Sequence, residues 1–183
     1  MQLVLLSERG NRNINWQITF RDWCYHCVTR RGAERNLTAS SGPGCIPCFS
    51  ADYAFMGEQT TDGTTPILVL KDDTQKSVFA HVVPEKGAND FVVRQIVHDI
   101  ELTGFTEVIF KTDNEPAMLN LQQAVKAARS HKTNLENSLR GQSKSNGFIE
   151  NANRFVESQI RTMRSALNAN LQTVIDRNHL VIA

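Results

Sequence analysis

From Phe49 the chain alternates like a strand with two unlike faces. Phe49, Ala51, Tyr53 and Phe55 fall on one face, and Ser50, Asp52, Ala54 and Met56 on the other. Pro66 to Asp72 and Ser77 to Val83 give two more strands, joined by the polar stretch Asp73–Lys76. These three read as an antiparallel meander. A helix follows, capped by Asn89 or Asp90, striped with Phe91, Val92, Ile96 and Ile100, and ended by Gly104. Val108 to Asp113 reads as a buried strand. Pro116 suits the first turn of a helix running to about Ser130, with Leu119, Leu121, Val125 and Ala128 inward. Residues 131–147 are polar and irregular, punctuated by Gly141 and Gly147. A long helix then runs from about Phe148 to Asn168, with Ile149, Val156, Ile160, Met163 and Leu167 in one stripe. Three strands followed by helix, strand and helix predict an α/β layout with a mixed sheet.

Residues 1–40 show no sustained periodicity and are rich in Arg and Asn. With 183 residues in all, the expectation is an N-terminal extension over 1–45 and one core domain over 46–183. At 40% apolar and 21% charged, the composition is globular rather than disordered. No apolar run approaches the ~20 residues that cross a bilayer. The apolar stretch ending at Leu6 is too short for a signal-peptide core. An intracellular protein is expected, nuclear in a eukaryote and not secreted.

The net charge of +1 conceals a pattern. Residues 1–51 carry +3, residues 52–139 carry −5, and residues 140–183 carry +3. An acidic middle between basic ends suits a carboxylate-rich site flanked by surfaces that can face phosphates. Random fluctuation along the chain is the alternative reading. Cys24, Cys27, Cys45 and Cys48 form two C-x2-C pairs separated by seventeen residues, spacing within the range of a four-cysteine zinc site. Four reduced thiols are the alternative.

Three acids are singled out by position. Asp52 lies inside the first strand, on the face opposite the aromatics. Asp113 ends the fourth strand, at the edge where α/β sheets place ligands. Glu150 begins the long helix after a flexible loop. If the first and fourth strands are neighbours, the aspartates sit side by side and Glu150 closes the site. Three converging carboxylates with no cation among them repel one another unless divalent ions neutralise them. Oxygen ligands of this kind suit Mg²⁺ or Mn²⁺. A pair of such ions can activate a nucleophile and stabilise the leaving oxygen of a phosphodiester.

ADYAFMG around Asp52, KTDNEPA around Asp113 and SKSNGFIENANRF around Glu150 resemble the catalytic core of retroviral and retrotransposon integrases. The resemblance covers about residues 46–170 and rests on three motifs in the right order, including the SNG before Glu150. Between Asp113 and Glu150 lie 36 residues, one more than is usual in the family. The resemblance implies a ribonuclease H-like fold, a five-stranded mixed sheet in the order 3-2-1-4-5. It also implies DNA integration by polynucleotidyl transfer, with Asp52, Asp113 and Glu150 holding two Mg²⁺. DNA is the implied partner, a dimer or larger homo-oligomer the implied form. WCYHCVTRRGAER resembles the zinc-binding domain that precedes such cores, so residues 1–45 read as its remnant. Asn13 and Gln17 stand roughly where that domain has histidines, leaving Cys45 and Cys48 as substitute ligands or leaving no zinc. The family continues beyond the core, so the C-terminal end reads as truncated.

On a helical wheel, Glu150, Arg154, Glu157, Arg161 and Arg164 form a charged edge beside the apolar stripe. Lys144, Asn146, Arg154 and Arg161 are the expected nucleic-acid contacts, although Glu157 interrupts the basic series. Alternatively the edge is a solvated face laced with i,i+4 pairs. Asn114 and Glu115 are placed to orient a water or a terminal nucleotide, and His81 and His98 are expected to be structural. The competing functions are a degenerate or domesticated chain that binds nucleic acid without cutting it, and a stand-alone ribonuclease H-like nuclease.

Overall fold

The computed structural model describes residues 24–29, 45–55, 66–138 and 143–174. The strands are β1 (Cys48–Phe55), β2 (Pro66–Asp72), β3 (Val78–Val82), β4 (Glu107–Thr112) and β5 (Lys132–Asn137). The helices are α1 (Tyr25–Thr29), α2 (Asp90–Leu102), α3 (Pro116–Ala128) and α4 (Ser143–Leu171).

The sheet order is β3-β2-β1-β4-β5, as the resemblance implies. β1 pairs antiparallel with β2, and β2 with β3. β4 runs parallel to β1, and β5 parallel to β4. The register sets Cys48 beside Ile109 and Ser50 beside Lys111, which aligns the carboxyl ends of β1 and β4.

The alternation along β1 divides two cores. Phe49, Ala51 and Tyr53 join Leu68, Leu70, Phe110 and the inner residues of α2 and α3 on one side. Ala54 joins Ile67, Val69, Ile149, Ala152 and Val156 on the other, which seats α4 against β1 and β2. Asp52 therefore faces α4.

Local chemistry explains the boundaries of α2. The Asn89 side chain accepts a hydrogen bond from Val92 N at 2.9 Å, a standard N-cap. Gly104, at φ +79°, takes the left-handed turn just after the helix, where a side chain would be strained.

The structure departs from the expected elements in several places. Residues 131–147 are not irregular throughout, because β5 occupies Lys132–Asn137 and α4 starts at Ser143 rather than Phe148. β5 is an edge strand with one neighbour, so it needs only Thr133 and half-buried Leu135 on the core and keeps a polar sequence. Phe91 and Ala128 point outward, their inward places taken by Val93 and Met118, and Met163 is exposed too. Gln122, a polar residue on α3, is wholly buried. Its Nε2 donates to Phe110 O at 3.0 Å and Glu136 O at 2.8 Å, tying β4 and β5 to the helix. Among the described residues no helix is long and apolar enough to cross a membrane.

Candidate active site

Asp52, Asp113 and Glu150 line one polar cavity of about 40 Å³, together with Lys111, Ser50 and Ser138. Each arrives by a separate device. Asp52 is carried by the α4-facing parity of β1. Asp113 follows the last residue of β4, and its Oδ1 accepts from Glu115 N at 3.1 Å, which folds the turn into α3. Glu150 lies beside Ile149, which is buried against β1 and β2 and so fixes the helix face presented to the cavity. The three acids thus border one cavity.

Their fine geometry is looser than a closed ligand set. Asp52 Oδ1 accepts from Tyr53 N at 2.8 Å, and Oδ2 from Asn153 Nδ2 at 2.9 Å. Glu150 Oε2 lies 3.8 Å from Arg154 Nη2. Among the described residues no three acidic, histidine or cysteine side chains gather closely enough to hold one ion together. Burial pushes the Asp52 carboxyl above its ordinary value, and the Asp113 charge adds to the rise, while hydrogen bonds from Tyr53 and Asn153 and the charge of Lys86 work against it. A carboxylate made costly by burial and a like-charged neighbour is one that a divalent cation would relieve. Apart from Lys111, the remaining polar side chains lining the cavity are hydroxyls, so by chemical type its oxygen donors fit Mg²⁺ or Mn²⁺. Asn153 Oδ1 is buried without a hydrogen-bond partner, a further acceptor beside Asp52.

The cavity is not free of cations, contrary to expectation. Lys111 lines it, because parity along β4 puts residues 111 and 113 on one face. Its Nζ lies 2.9 Å from Glu136 Oε1. Lys86 borders the site from the β3–α2 connection, pairing with Glu115 at 2.7 and 2.9 Å. Neighbouring Gly87, at φ +114°, donates its N–H to Tyr53 Oη at 2.9 Å. Glu115 is thus engaged with Lys86, and Asn114 donates its amide to Ser138 O at 2.6 Å. Both residues brace the turn after Asp113 rather than presenting free groups. Asn153 carried an unused signal: it lies one helical turn after Glu150, at the border of the apolar stripe, where a polar residue needs a reason.

The charged edge of α4 is as expected in outline. Arg154 pairs with Glu150, and Arg161 pairs with Glu157 at 3.4 Å, both at i,i+4 on an exposed face. Lys144 and Asn146 fall in the first turn of α4, but their side chains lie outside the described residues. Lys71 steadies that end of the helix: its Nζ sits 3.9 Å above the Phe148 ring and donates to Phe148 O at 3.2 Å.

Among the described residues the four cysteines do not gather into a group that could hold a metal ion. Cys24 and Cys27 belong to α1 and its start, which packs on α4 with His26 Nδ1 3.0 Å from Ser165 Oγ. Cys48 opens β1 among Asp73, Glu136 and Lys111, and burial pushes its thiol up to about 11. Cys45 is exposed, and all four are free thiols. The loop at 30–44 lies outside the described residues. His81 is structural as expected: its Nε2 meets Asp99 Oδ2 at 2.5 Å, joining β3 to α2.

No protein-family model matches the sequence, and no curated protein matches it. Among solved structures, a chain of the simian T-cell lymphotropic virus intasome, determined in complex with the PP2A regulatory subunit B56 gamma, is similar. Its TM-score is 0.52 and its identity 17%, over 85% of this chain and 53% of that one. This chain thus spans about half the length of its viral counterpart. The catalytic core domain of HTLV-2 integrase, solved as a dimer with magnesium, gives a TM-score of 0.48 and 16% identity over 72% of this chain and 80% of that one. At such identities the likeness is one of fold: the chain has an integrase-core-like, ribonuclease H-like architecture.

Proposed function

We propose that this chain carries out metal-dependent polynucleotidyl transfer on DNA, trimming ends and joining them to a second duplex. The observation that carries the reading is the meeting of Asp52, Asp113 and Glu150 on one cavity at the carboxyl edge of β1 and β4. DNA and further copies of the chain are the partners it implies, and the occurrence of the similar viral chain in an intasome supports it.

Asp52, Asp113 and Glu150 would hold two Mg²⁺ or Mn²⁺ ions. Bound there, the ions supply activation of a water or 3′-hydroxyl and stabilisation of the leaving oxygen. The protein's own contribution is placement. Asn153 and the Tyr53 amide hold the Asp52 carboxylate by both oxygens, so it enters the site already oriented. The Glu115 amide does the same for Asp113. Glu150 must turn from Arg154, a pair exposed enough to exchange easily. Arg154 and Arg161 then face the DNA backbone.

A DNA nicking and strand-transfer assay in Mg²⁺ and Mn²⁺, run beside Asp113→Asn, tests the reading. Activity in the wild type and none in the variant is expected, and equal activity in both would sink it. A second reading, binding without cleavage, draws on the loose acid geometry and the Glu150–Arg154 pair. DNA binding with no metal-dependent cleavage would favour it. Cleavage confined to an RNA–DNA hybrid would instead indicate a ribonuclease H-like nuclease.

A further inference from the structure

Two ion pairs of one kind cross between β4 and β5. At one end Lys132 Nζ lies 2.7 Å from Glu107 Oε1, and at the other Lys111 Nζ lies 2.9 Å from Glu136 Oε1. Both join direct register partners. If they served only to pair the strands, the two would be equivalent. Their surroundings are not. The Lys132 side chain is 67% exposed, whereas that of Lys111 is 22% exposed and lines the cavity of the three acids. Among the described residues lining that cavity, Lys111 is the only cation. Its partner Glu136 is 49% exposed and does not line the cavity, so it reaches Lys111 from the solvent side.

We propose that Lys111 is a phosphate contact of this site. Its ammonium holds a backbone phosphate of the docked strand and gives up Glu136 to do so. The inference rests on reading the cavity as a nucleic-acid site and deepens that reading. A strand entering a cavity walled by carboxylates meets repulsion at every phosphate oxygen, so a cation inside the wall has a large effect on docking. A lysine suits the task as a compact charge with three donors on a flexible stem. The Glu136 pair keeps the ammonium partnered meanwhile, and a pair with one solvated member exchanges readily. No covalent step is involved.

The test is fluorescence anisotropy of a short labelled DNA duplex, with KCl varied at fixed Mg²⁺. It compares wild type, Lys111→Met, Glu136→Gln, the double variant and Lys132→Met, each first checked for folding by thermal melting. Lys111→Met should weaken binding several-fold and reduce the slope of log affinity against log salt by about one, the loss of one phosphate contact. Lys132→Met should leave the slope as it is. Glu136→Gln should tighten binding in the wild-type background, and this gain should vanish beside Lys111→Met. An unchanged slope in Lys111→Met overturns the proposal, as does a Glu136→Gln gain that persists without Lys111. Should Lys111→Met fail to fold, Lys111→Gln and the Glu136→Gln arm decide the matter. Nicking by the wild type together with an unchanged slope would defeat this inference alone. A reduced slope with no nicking by any variant would defeat the proposed chemistry alone.

Discussion

Gln122→Met isolates the polar tie beneath the site. The substitution keeps length and approximate volume but removes the amide that donates to Phe110 O and Glu136 O. Both carbonyls then lose a donor in a place that water does not reach freely. An acceptor stripped of its partner costs about 1–3 kcal/mol, and the low end applies because a carbonyl keeps a second lone pair for other donors. Two carbonyls give roughly 2–3 kcal/mol, and the greater apolarity of Met returns up to about 1 kcal/mol. The expected net loss is about 2 kcal/mol, or a fall in Tm of about 4–8 °C for a chain of this size. Urea unfolding followed by circular dichroism measures it, with an unchanged m-value showing that the native and denatured states keep their extent. A loss under about 0.5 kcal/mol would refute the reasoning, since the two bonds would then be worth no more than surface contacts. The DNA-facing readouts should weaken as well, because β5 leads directly to Ser138, which lines the cavity.

Asp113→Asn should stabilise the metal-free protein on the neutral side of the carboxylate range and change little on the acid side. The sign follows from Asp52: its folded value lies above the ordinary one, so folding stability is highest below the ordinary value and falls as pH rises through the folded one. Removing the Asp113 charge shrinks that fall by up to about 1 kcal/mol, the scale of a partly screened pair, and thermal melts across pH read it. A variant that melts in parallel with the wild type at every pH would contradict this. Lys71→Met should loosen the start of α4 by about 1 kcal/mol, the scale of a half-exposed cation–π contact. Amide exchange should quicken around Phe148 to Glu150 while remaining slow near Val156, and uniform exchange along the helix would argue against the tether.

Much of this architecture is written in the apolar pattern. Ile67 to Leu70 form a buried run and are a buried strand, and Asn89 both predicts and makes the α2 cap. The alternation that put Asp52 opposite Tyr53 is what aims it at α4. What the pattern hid has a common cause, which is that its placement depends on neighbours distant in sequence. β5 reads as loop because KTNLEN needs only β4 beside it and little core. Gln122 reads as surface because its two acceptors lie on other elements. Lys111 reads as one more strand residue until parallel pairing sets β4 beside β1 and opens the cavity between them. The strand order itself came from the integrase resemblance, since periodicity cannot say which strands adjoin.

The mixed directions of the sheet also set the order in which the site can form. β1, β2 and β3 pair with their nearest neighbours in sequence, so that half closes short loops. The parallel pairing of β1 with β4 must wait for a crossover through α2. Asp52 and Asn153, in contact at 2.9 Å, are separated by 101 residues. Closing a longer loop adds entropy only logarithmically, so this arrangement costs little at equilibrium, but non-local contacts are the slow ones to find. The two aspartates and Glu150 on α4 are therefore brought together only by contacts of long sequence separation. Until those contacts exist, the mutually repelling carboxylates stay apart in water, and their repulsion does not oppose the earlier steps of folding.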